Sequence, residues 1–370
     1  MSPQFVDNDK PNWAKIAYHA RSGFAVALSL AVLVGGGWFV YSKISEAWTA
    51  YRTADDYIGE GIDDVEVVIP LGANITQIGD VLVEHDVIRS VATFRDEALA
   101  NEESDQIQAG RYALKTQIPA KTALEMLLDP ANQVVTNVTL REGLALSQEL
   151  SILSEEFEVS TEDLKAALES TDLGLPGYAN GNAEGFLFPE TYRISEPLVP
   201  GTLYSTQVSQ FKTVAEEIGL ADRAAALGRS EYELVIVASM IEKEAATPED
   251  RPKVAAVIYN RLDAGMKLQF DSTVHYALQD FSRVTTTEAD RATESVYNTY
   301  LHEGLPWGPI SNPGRAALEA AANPADISAM FFTAVNLDTG ETLFADTAEE
   351  HAENVKKFQA WCQAHQGRCT

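Results

Sequence analysis

Residues 231–246 read EYELVIVASMIEKEAA, and apolar side chains cover this segment on nearly every side of a helix. A helix that is apolar all round is normally buried at the centre of a domain. The segment therefore predicts a central helix with other helices packed around it. This helix ends in two carboxylates, Glu242 and Glu244, which are separated by one lysine.

The position of Glu244 on this helix favours a chemical role. Glu244 continues the apolar stripe through Val237 and Ile241, while Glu242 follows Val235. A carboxylate against an apolar surface, near the negative end of a helix dipole, holds its proton more tightly. A carboxylic acid that stays protonated near neutral pH is what glycosidic cleavage requires of a general acid. The alternative is that the acidic pair is simply the solvated end of the helix.

The remaining patterns predict an α+β chain. Short strands and helices alternate in the first third, and helices dominate from Leu203 onward, with a small β-hairpin around residues 338–340. Thr347 and Glu350 form a capping box that opens the last helix. We predict an N-terminal segment (1–22), a transmembrane helix (23–41), a linker (42–62), a small α+β module (63–135) and a mainly helical catalytic domain (136–370).

The transmembrane prediction rests on Gly23 to Tyr41, a run without a charged residue that is long enough to cross the hydrocarbon core of a bilayer. Trp38 and Tyr41 lie at its end, where aromatic rings favour the membrane interface. A cleaved signal peptide is the alternative. Basic residues precede the run, which predicts a cytoplasmic N-terminus and an extracytoplasmic catalytic domain: Lys10, Lys15 and Arg21.

Composition excludes several classes of function. The chain has 27 Lys and Arg against 55 Asp and Glu, a net charge of −28, which argues against a nucleic-acid partner. The histidines show no metal-ligand spacing and the sequence has no nucleotide-binding loop, so we predict no metal and no cofactor. Two cysteines exclude a Cys₄ zinc site, but Cys362 and Cys369 lie close enough in sequence for a local disulfide.

Several ordered motifs flank the central helix. They are EGFLFPETY (184–192), RPKVAAVIYNRL (251–262), GMKLQFDSTV (265–274), YNTY (297–300) and GLPWGPISNPG (304–314). Together they resemble the YceG-like endolytic murein transglycosylases, from about Val65 to the last helix. The chain departs from the usual family pattern at Phe270 and Ser272, where Thr and Pro are common, and at Trp307, where a second proline is common.

The resemblance implies an enzyme that cuts peptidoglycan glycan strands internally, between MurNAc and GlcNAc. In this family the MurNAc 6-hydroxyl attacks its own anomeric carbon without water and leaves a 1,6-anhydro end. One glutamate acts as both acid and base, and it corresponds to Glu244. The resemblance further implies a LysM-like N-terminal module, a membrane anchor and association with penicillin-binding proteins.

Other candidate residues are expected to surround Glu244. Gln269 and Asp271 follow a helix stop and could hydrogen-bond to sugars, although Asp271 could instead cap the next helix. Tyr297, Asn298 and Tyr300 could bind sugar rings and N-acetyl groups, or could pack a loop against the catalytic helix. The remaining candidates are Asn312, which could bind substrate or shape a turn, and Arg261 and Glu242, which we expect to orient their neighbours.

Two alternative functions use the same residues. A hydrolytic muramidase would employ Asp271 as a second carboxylate that holds water, since an ordinary glycosidase needs two placed carboxyl groups. A non-catalytic peptidoglycan-binding scaffold of the cell-wall synthesis machinery would not need the acidity of Glu244.

Overall fold

The computed structural model describes residues 32–44, 56–283, 285–365 and 368–369. These residues form a mixed α+β structure with many helices and small two-stranded antiparallel sheets, which confirms the predicted fold class. The chain divides into two compact units, Met1–Val134 and Val135–Thr370.

The described part of the N-terminal region begins with a helix, α1, over residues 32–44. In the part of the chain that the structure describes, no helix has both the length and the apolar character needed to cross a membrane. The predicted transmembrane segment lies partly outside this part, because residues 23–31 are not described. Residues 1–22 and most of the predicted linker also lie outside it.

In the first unit, two helices lie between two strands in chain order, and a third helix follows. Strands β1 and β2 pair antiparallel, with the buried Val67 opposite the buried Tyr112. Alternation of buried and exposed side chains along both strands places one face of the sheet against the helices. The elements are β1 (Asp64–Ile69), α2 (Ile75–Glu84), α3 (Val91–Ala100), β2 (Gly110–Lys115) and α4 (Ala120–Leu128).

The second unit is mainly helical. Its strands form two separate antiparallel pairs, β3 with β4 and the hairpin of β5 with β6. In chain order the elements are β3 (Val135–Thr139), α5 (Leu146–Phe157), α6 (Thr161–Ser170), β4 (Thr191–Ser195), α7 (Pro200–Glu217), α8 (Leu220–Ala226), α9 (Glu231–Glu244), α10 (Arg251–Asp263), α11 (Asp271–Leu278), α12 (Glu288–Arg291), α13 (Arg315–Ala322), β5 (Phe331–Asn336), β6 (Glu341–Ala345) and α14 (Ala348–Ala364).

Helix α9 is the central helix that the sequence predicts. A capping box between Ser230 and Glu233 begins it, because each residue's side chain accepts a hydrogen bond from the other's backbone amide. Every residue from Leu234 to Ile241 is buried, and α8, α10, α11 and α13 pack around the helix. It ends at Glu244, two residues earlier than the apolar pattern suggests.

The loop of residues 308–314 is hydrogen-bonded to the middle of α9 at one residue, Ser239. The Ser239 hydroxyl accepts a hydrogen bond from the amide of Ile310 (3.0 Å), and the Ser311 hydroxyl donates to the Ser239 carbonyl (3.0 Å). Ser239 is fully buried, so these bonds satisfy polar groups that would otherwise be costly inside the core. The position of the loop is thereby fixed relative to the helix that carries Glu244.

The C-terminal helix α14 begins at the predicted capping box, where Thr347 and Glu350 satisfy each other's backbone amides. Its last turn is joined to the chain end by a disulfide between Cys362 and Cys369, whose Cα atoms are 5.9 Å apart. The local disulfide expected from the sequence is therefore present.

A substitution at Gly185 can test how tightly the chain packs around the 308–314 loop. Its φ is +89°, and a Cβ atom there would lie 2.6 Å from Pro309. We expect Gly185→Ala to lower the free energy of unfolding by about 3 kcal/mol or more, through backbone strain and overpacking combined. Gly219→Ala is the matched control, because Gly219 also has a positive φ (+66°) but open space around its Cα. Urea unfolding that gives equal losses for both variants would contradict the packing argument.

Candidate active site

Glu244 is the last residue of α9 and faces the first turn of α11. Burial raises the pKa of its carboxyl group, and the nearby charge of Asp271 raises that pKa further. The hydroxyl and backbone amide of Ser272, together with Lys243, act in the opposite direction. Glu244 is only partly exposed, so it is not the freely solvated helix end of the alternative interpretation.

Ser272 gives the carboxylate form of Glu244 a favourable environment. It lies in the first turn of α11, where backbone amides have no partner within the helix and the helix dipole favours negative charge. Its hydroxyl oxygen is buried and makes no hydrogen bond of ordinary geometry to the described residues. The Ser272 hydroxyl and amide nevertheless lie close enough to Glu244 to lower the pKa of its carboxyl group.

Asp271 is held by three hydrogen bonds beside Glu244. The Thr286 hydroxyl donates to Oδ1 (2.6 Å), the Thr286 amide to Oδ2 (3.2 Å) and the Tyr300 hydroxyl to Oδ1 (2.7 Å). Asp271 is the first residue of α11 rather than its N-cap, a position that Phe270 occupies without a side-chain bond. The alternative that Asp271 caps this helix is therefore wrong.

Arg261 and Glu242 support the chain around Glu244. The guanidinium of Arg261 donates to the carbonyl groups of Met330 (2.6 Å) and Leu268 (2.5 Å), which fixes the segment leading into α11. Glu242 accepts hydrogen bonds from Arg251 (2.9 Å) and from the amide of Gly314 (3.0 Å).

The other predicted residues divide into exposed and buried groups. Gln269 is exposed just before α11, and Tyr297 is partly exposed. The Asn298 side chain is buried and donates to two carbonyl groups that lie seven and five residues earlier in the chain, at 3.0 and 2.8 Å. Asn312 is also buried, where its Oδ1 accepts from the Gly185 amide (2.8 Å). Both asparagine amides therefore bind protein groups.

A second pair of carboxylates lies buried in the same unit. Glu184 accepts hydrogen bonds from the amide of Leu146 (3.0 Å) and from the Tyr276 hydroxyl (2.9 Å), and burial raises its pKa to about 8. Glu149 accepts from Gln207 (2.8 Å) and Asn312 (3.1 Å), and burial raises its pKa to about 7. Neither glutamate has a predicted role in the sequence, although Glu184 is the first residue of the motif EGFLFPETY.

The groups around Glu244 act on the pKa of its carboxyl group in opposite directions. Burial and Asp271 favour its protonated form, whereas Ser272 and Lys243 favour its carboxylate form. Burial is the largest of these influences, so the pKa of Glu244 is raised overall, which suits a group that donates a proton. Among the described residues, no cluster of His, Cys, Asp and Glu is arranged to hold a metal ion.

Burial of Glu184 predicts a pH-dependent stability. Its pKa rises from 4.5 to about 8 on folding, so the folded state binds more protons than the unfolded state between these values. Stability contributed by this group is therefore lost as the pH rises from 4.5 to about 8.

We expect Glu184→Gln to reduce this loss, as measured by thermal melting at several pH values. Glu190→Gln, at an exposed position of the same motif, should retain the wild-type dependence. An unchanged slope for Glu184→Gln would show that Glu184 does not titrate in this range.

Comparison with known proteins supports the motif resemblance. A sequence model of the YceG-like family matches residues 67–357. An endolytic murein transglycosylase from Bacillus subtilis is 29% identical over 342 residues, which cover 88% of this chain and 91% of the relative. Another from Streptococcus pneumoniae is 28% identical over 366 residues, covering 88% of this chain but 63% of the relative.

The structure agrees with this relationship. The crystal structure of a YceG-like protein from Listeria monocytogenes superimposes with a TM-score of 0.54 at 26% sequence identity, over 78% of this chain and 98% of the other. Because the family match extends over most of the sequence, this chain belongs to the YceG-like family.

Proposed function

We propose that this protein is an endolytic lytic transglycosylase that cleaves the MurNAc–GlcNAc bonds of peptidoglycan glycan strands. The main evidence is Glu244, a partly buried carboxyl group with a raised pKa. It lies where the C-terminal end of α9 meets the N-terminal end of α11. Family membership and the transglycosylase names of the relatives support the same reaction.

In the proposed mechanism, protonated Glu244 donates its proton to the glycosidic oxygen as the bond from that oxygen to MurNAc C1 breaks. The leaving GlcNAc thereby gains a hydroxyl group. The resulting Glu244 carboxylate accepts the proton of the MurNAc 6-hydroxyl, whose oxygen forms a new bond to C1. The product is a 1,6-anhydro-MurNAc end, no water is consumed, and Glu244 is protonated again.

The surroundings of Glu244 suit both halves of this cycle. Burial and the Asp271 charge favour the acid that starts the reaction, while the positive end of α11 and the Ser272 hydroxyl stabilise the carboxylate that follows. We propose that Gln269 and Tyr300 line the approach to Glu244. We assign Asn298 and Asn312 to holding the loops, because their amides are already hydrogen-bonded within the protein.

The environment of Asp271 favours a transglycosylase over a hydrolytic muramidase. A hydrolase needs a second carboxylate free to hold and activate water. Both oxygens of Asp271 instead accept hydrogen bonds from Thr286, and one also accepts from Tyr300. We therefore propose that Asp271 acts electrostatically, by keeping Glu244 protonated.

We further propose that residues 23–41 anchor the enzyme in the cell membrane, with the catalytic unit outside the cytoplasm. The support is the uncharged run and its terminal Trp38 and Tyr41. This location would bring the enzyme to newly made strands and to penicillin-binding proteins. A glycan-binding role of the N-terminal unit, as a LysM-like module, rests on the family resemblance.

Replacing the acid tests the proposed reaction. We expect Glu244→Gln to lower the release of 1,6-anhydro muropeptides from purified peptidoglycan by at least about 100-fold, because the amide can neither donate nor accept the proton. Glu249→Gln, an exposed position five residues later, is the matched control. Mass spectrometry of the strand ends distinguishes anhydro from reducing MurNAc. Reducing ends from the wild type would support the muramidase. A Glu244→Gln protein that retains full function in cells would support the non-catalytic scaffold.

Replacing Asp271 tests its electrostatic role. Asp271→Asn removes a negative charge beside Glu244, so the pKa of Glu244 should fall. Because the enzyme must start with Glu244 protonated, the alkaline limb of the kcat/KM profile should move to lower pH. Tyr300→Phe removes one hydrogen bond to Asp271 but keeps its charge, and it should not produce this shift. An alkaline limb that stays in place in Asp271→Asn would refute the electrostatic role.

A further inference from the structure

Three aromatic rings form a row, here called the aromatic row, that consists of Tyr276, Tyr297 and Trp307. The rings of Tyr276 and Tyr297 are 4.7 Å apart between centroids, and those of Tyr297 and Trp307 are 6.2 Å apart in an edge-to-face arrangement. Tyr276 and Tyr297 are partly buried, whereas Trp307 is 65% exposed. The row therefore runs from the protein interior to the surface.

The exposed indole is carried by a fixed backbone. Its neighbours Pro306 and Gly308 are buried, and the Trp307 amide donates to the Val296 carbonyl (3.3 Å). A Cβ atom on Gly308 would lie 2.9 Å from the Tyr232 hydroxyl, so the chain approaches this side chain closely. A rigid support of this kind lowers the entropy lost when a ligand binds to the ring.

The aromatic row begins about one helical turn along α11 from Ser272, a neighbour of the proposed acid. Ser272, which contacts Glu244, and Tyr276 lie on α11 four residues apart, a rise of about 6 Å along the helix. The two ring contacts then continue from Tyr276 to Trp307. A glycan strand bound at Glu244 can follow this row outward, with Trp307 displaced from the reacting bond.

We propose that Trp307 forms a distal glycan subsite, in which its ring stacks on a sugar outside the pair joined by the cleaved bond. This inference rests on the proposed function. The flat apolar indole matches the C–H face of a pyranose ring, and such a contact needs no charge, which suits a chain of net charge −28. The exposed surface of Trp307 and the adjoining Val296 falls far short of the roughly 1,000 Å² expected of a stable protein interface.

The test compares full-length variants on glycan strands of defined length. For long glycan strands, Trp307→Ala should raise KM by about tenfold, as expected from the loss of one aromatic contact. The value of kcat should stay unchanged. Trp307→Phe keeps an aromatic ring and should raise KM by a smaller factor. Trp307→Leu keeps apolar area without a ring, so its KM should resemble that of Trp307→Ala. Ile327→Ala, at another exposed apolar position, should match the wild type.

Strand binding by the Glu244→Gln protein, with and without Trp307→Ala, separates this inference from the proposed function. Weaker binding of long strands after Trp307→Ala supports the subsite even if the wild type releases no anhydro ends, a result that would refute only the transglycosylase. Equal KM and equal affinity at every strand length would overturn the subsite while leaving the reaction intact. A change of oligomeric state in Trp307→Ala, with unchanged strand binding, would assign the ring to a protein contact instead.

Discussion

The structure of the second unit, Val135–Thr370, depends on one constraint: carboxylates are buried in or against its helical core. A buried charge is costly unless it is paired or hydrogen-bonded, so each group requires donors in fixed places. Glu149 and Glu184 obtain them from α7, from the 308–314 loop and from α11, while Glu242 takes the Gly314 amide and Arg251. Several of these bonds join segments that are far apart in sequence, such as α5 with α7 and with the 308–314 loop.

At Glu244, as at the other buried glutamates, neighbouring groups act on the pKa in opposite directions. Two of its neighbours favour the carboxylate, namely Ser272 and Lys243, whereas Asp271 and burial favour the acid. Hydrogen bonds to a carboxylate lower its pKa, and burial raises it. At Glu244 burial is the largest influence, so its carboxyl group holds the proton more tightly than a solvated glutamate does. In the proposed mechanism this is the proton that is given to the leaving oxygen.

The sequence predicted those helices and strands that are determined by residues close together in the chain. The apolar run of α9, the capping box at Thr347 and the hairpin of β5 and β6 all follow from residues within a few positions of one another. The hydrogen bond from Asn312 to Glu149 joins residues separated by 163 positions, and that from Tyr276 to Glu184 spans 92. No periodicity encodes such pairs, so the buried glutamates could not be assigned from the pattern of side chains.

Asp271 illustrates the same limit within the candidate site. From the sequence, a carboxylate after a helix stop has three reasonable roles: a helix cap, a ligand for sugar or a base for water. The choice depends on Thr286 and Tyr300, which lie 15 and 29 positions away and occupy its oxygens. A carboxylate held in this way contributes mainly its charge, and that charge raises the pKa of Glu244. In the proposed mechanism, these long-range contacts make Asp271 a group that adds to the effect of burial on the pKa of Glu244, rather than a second catalytic acid.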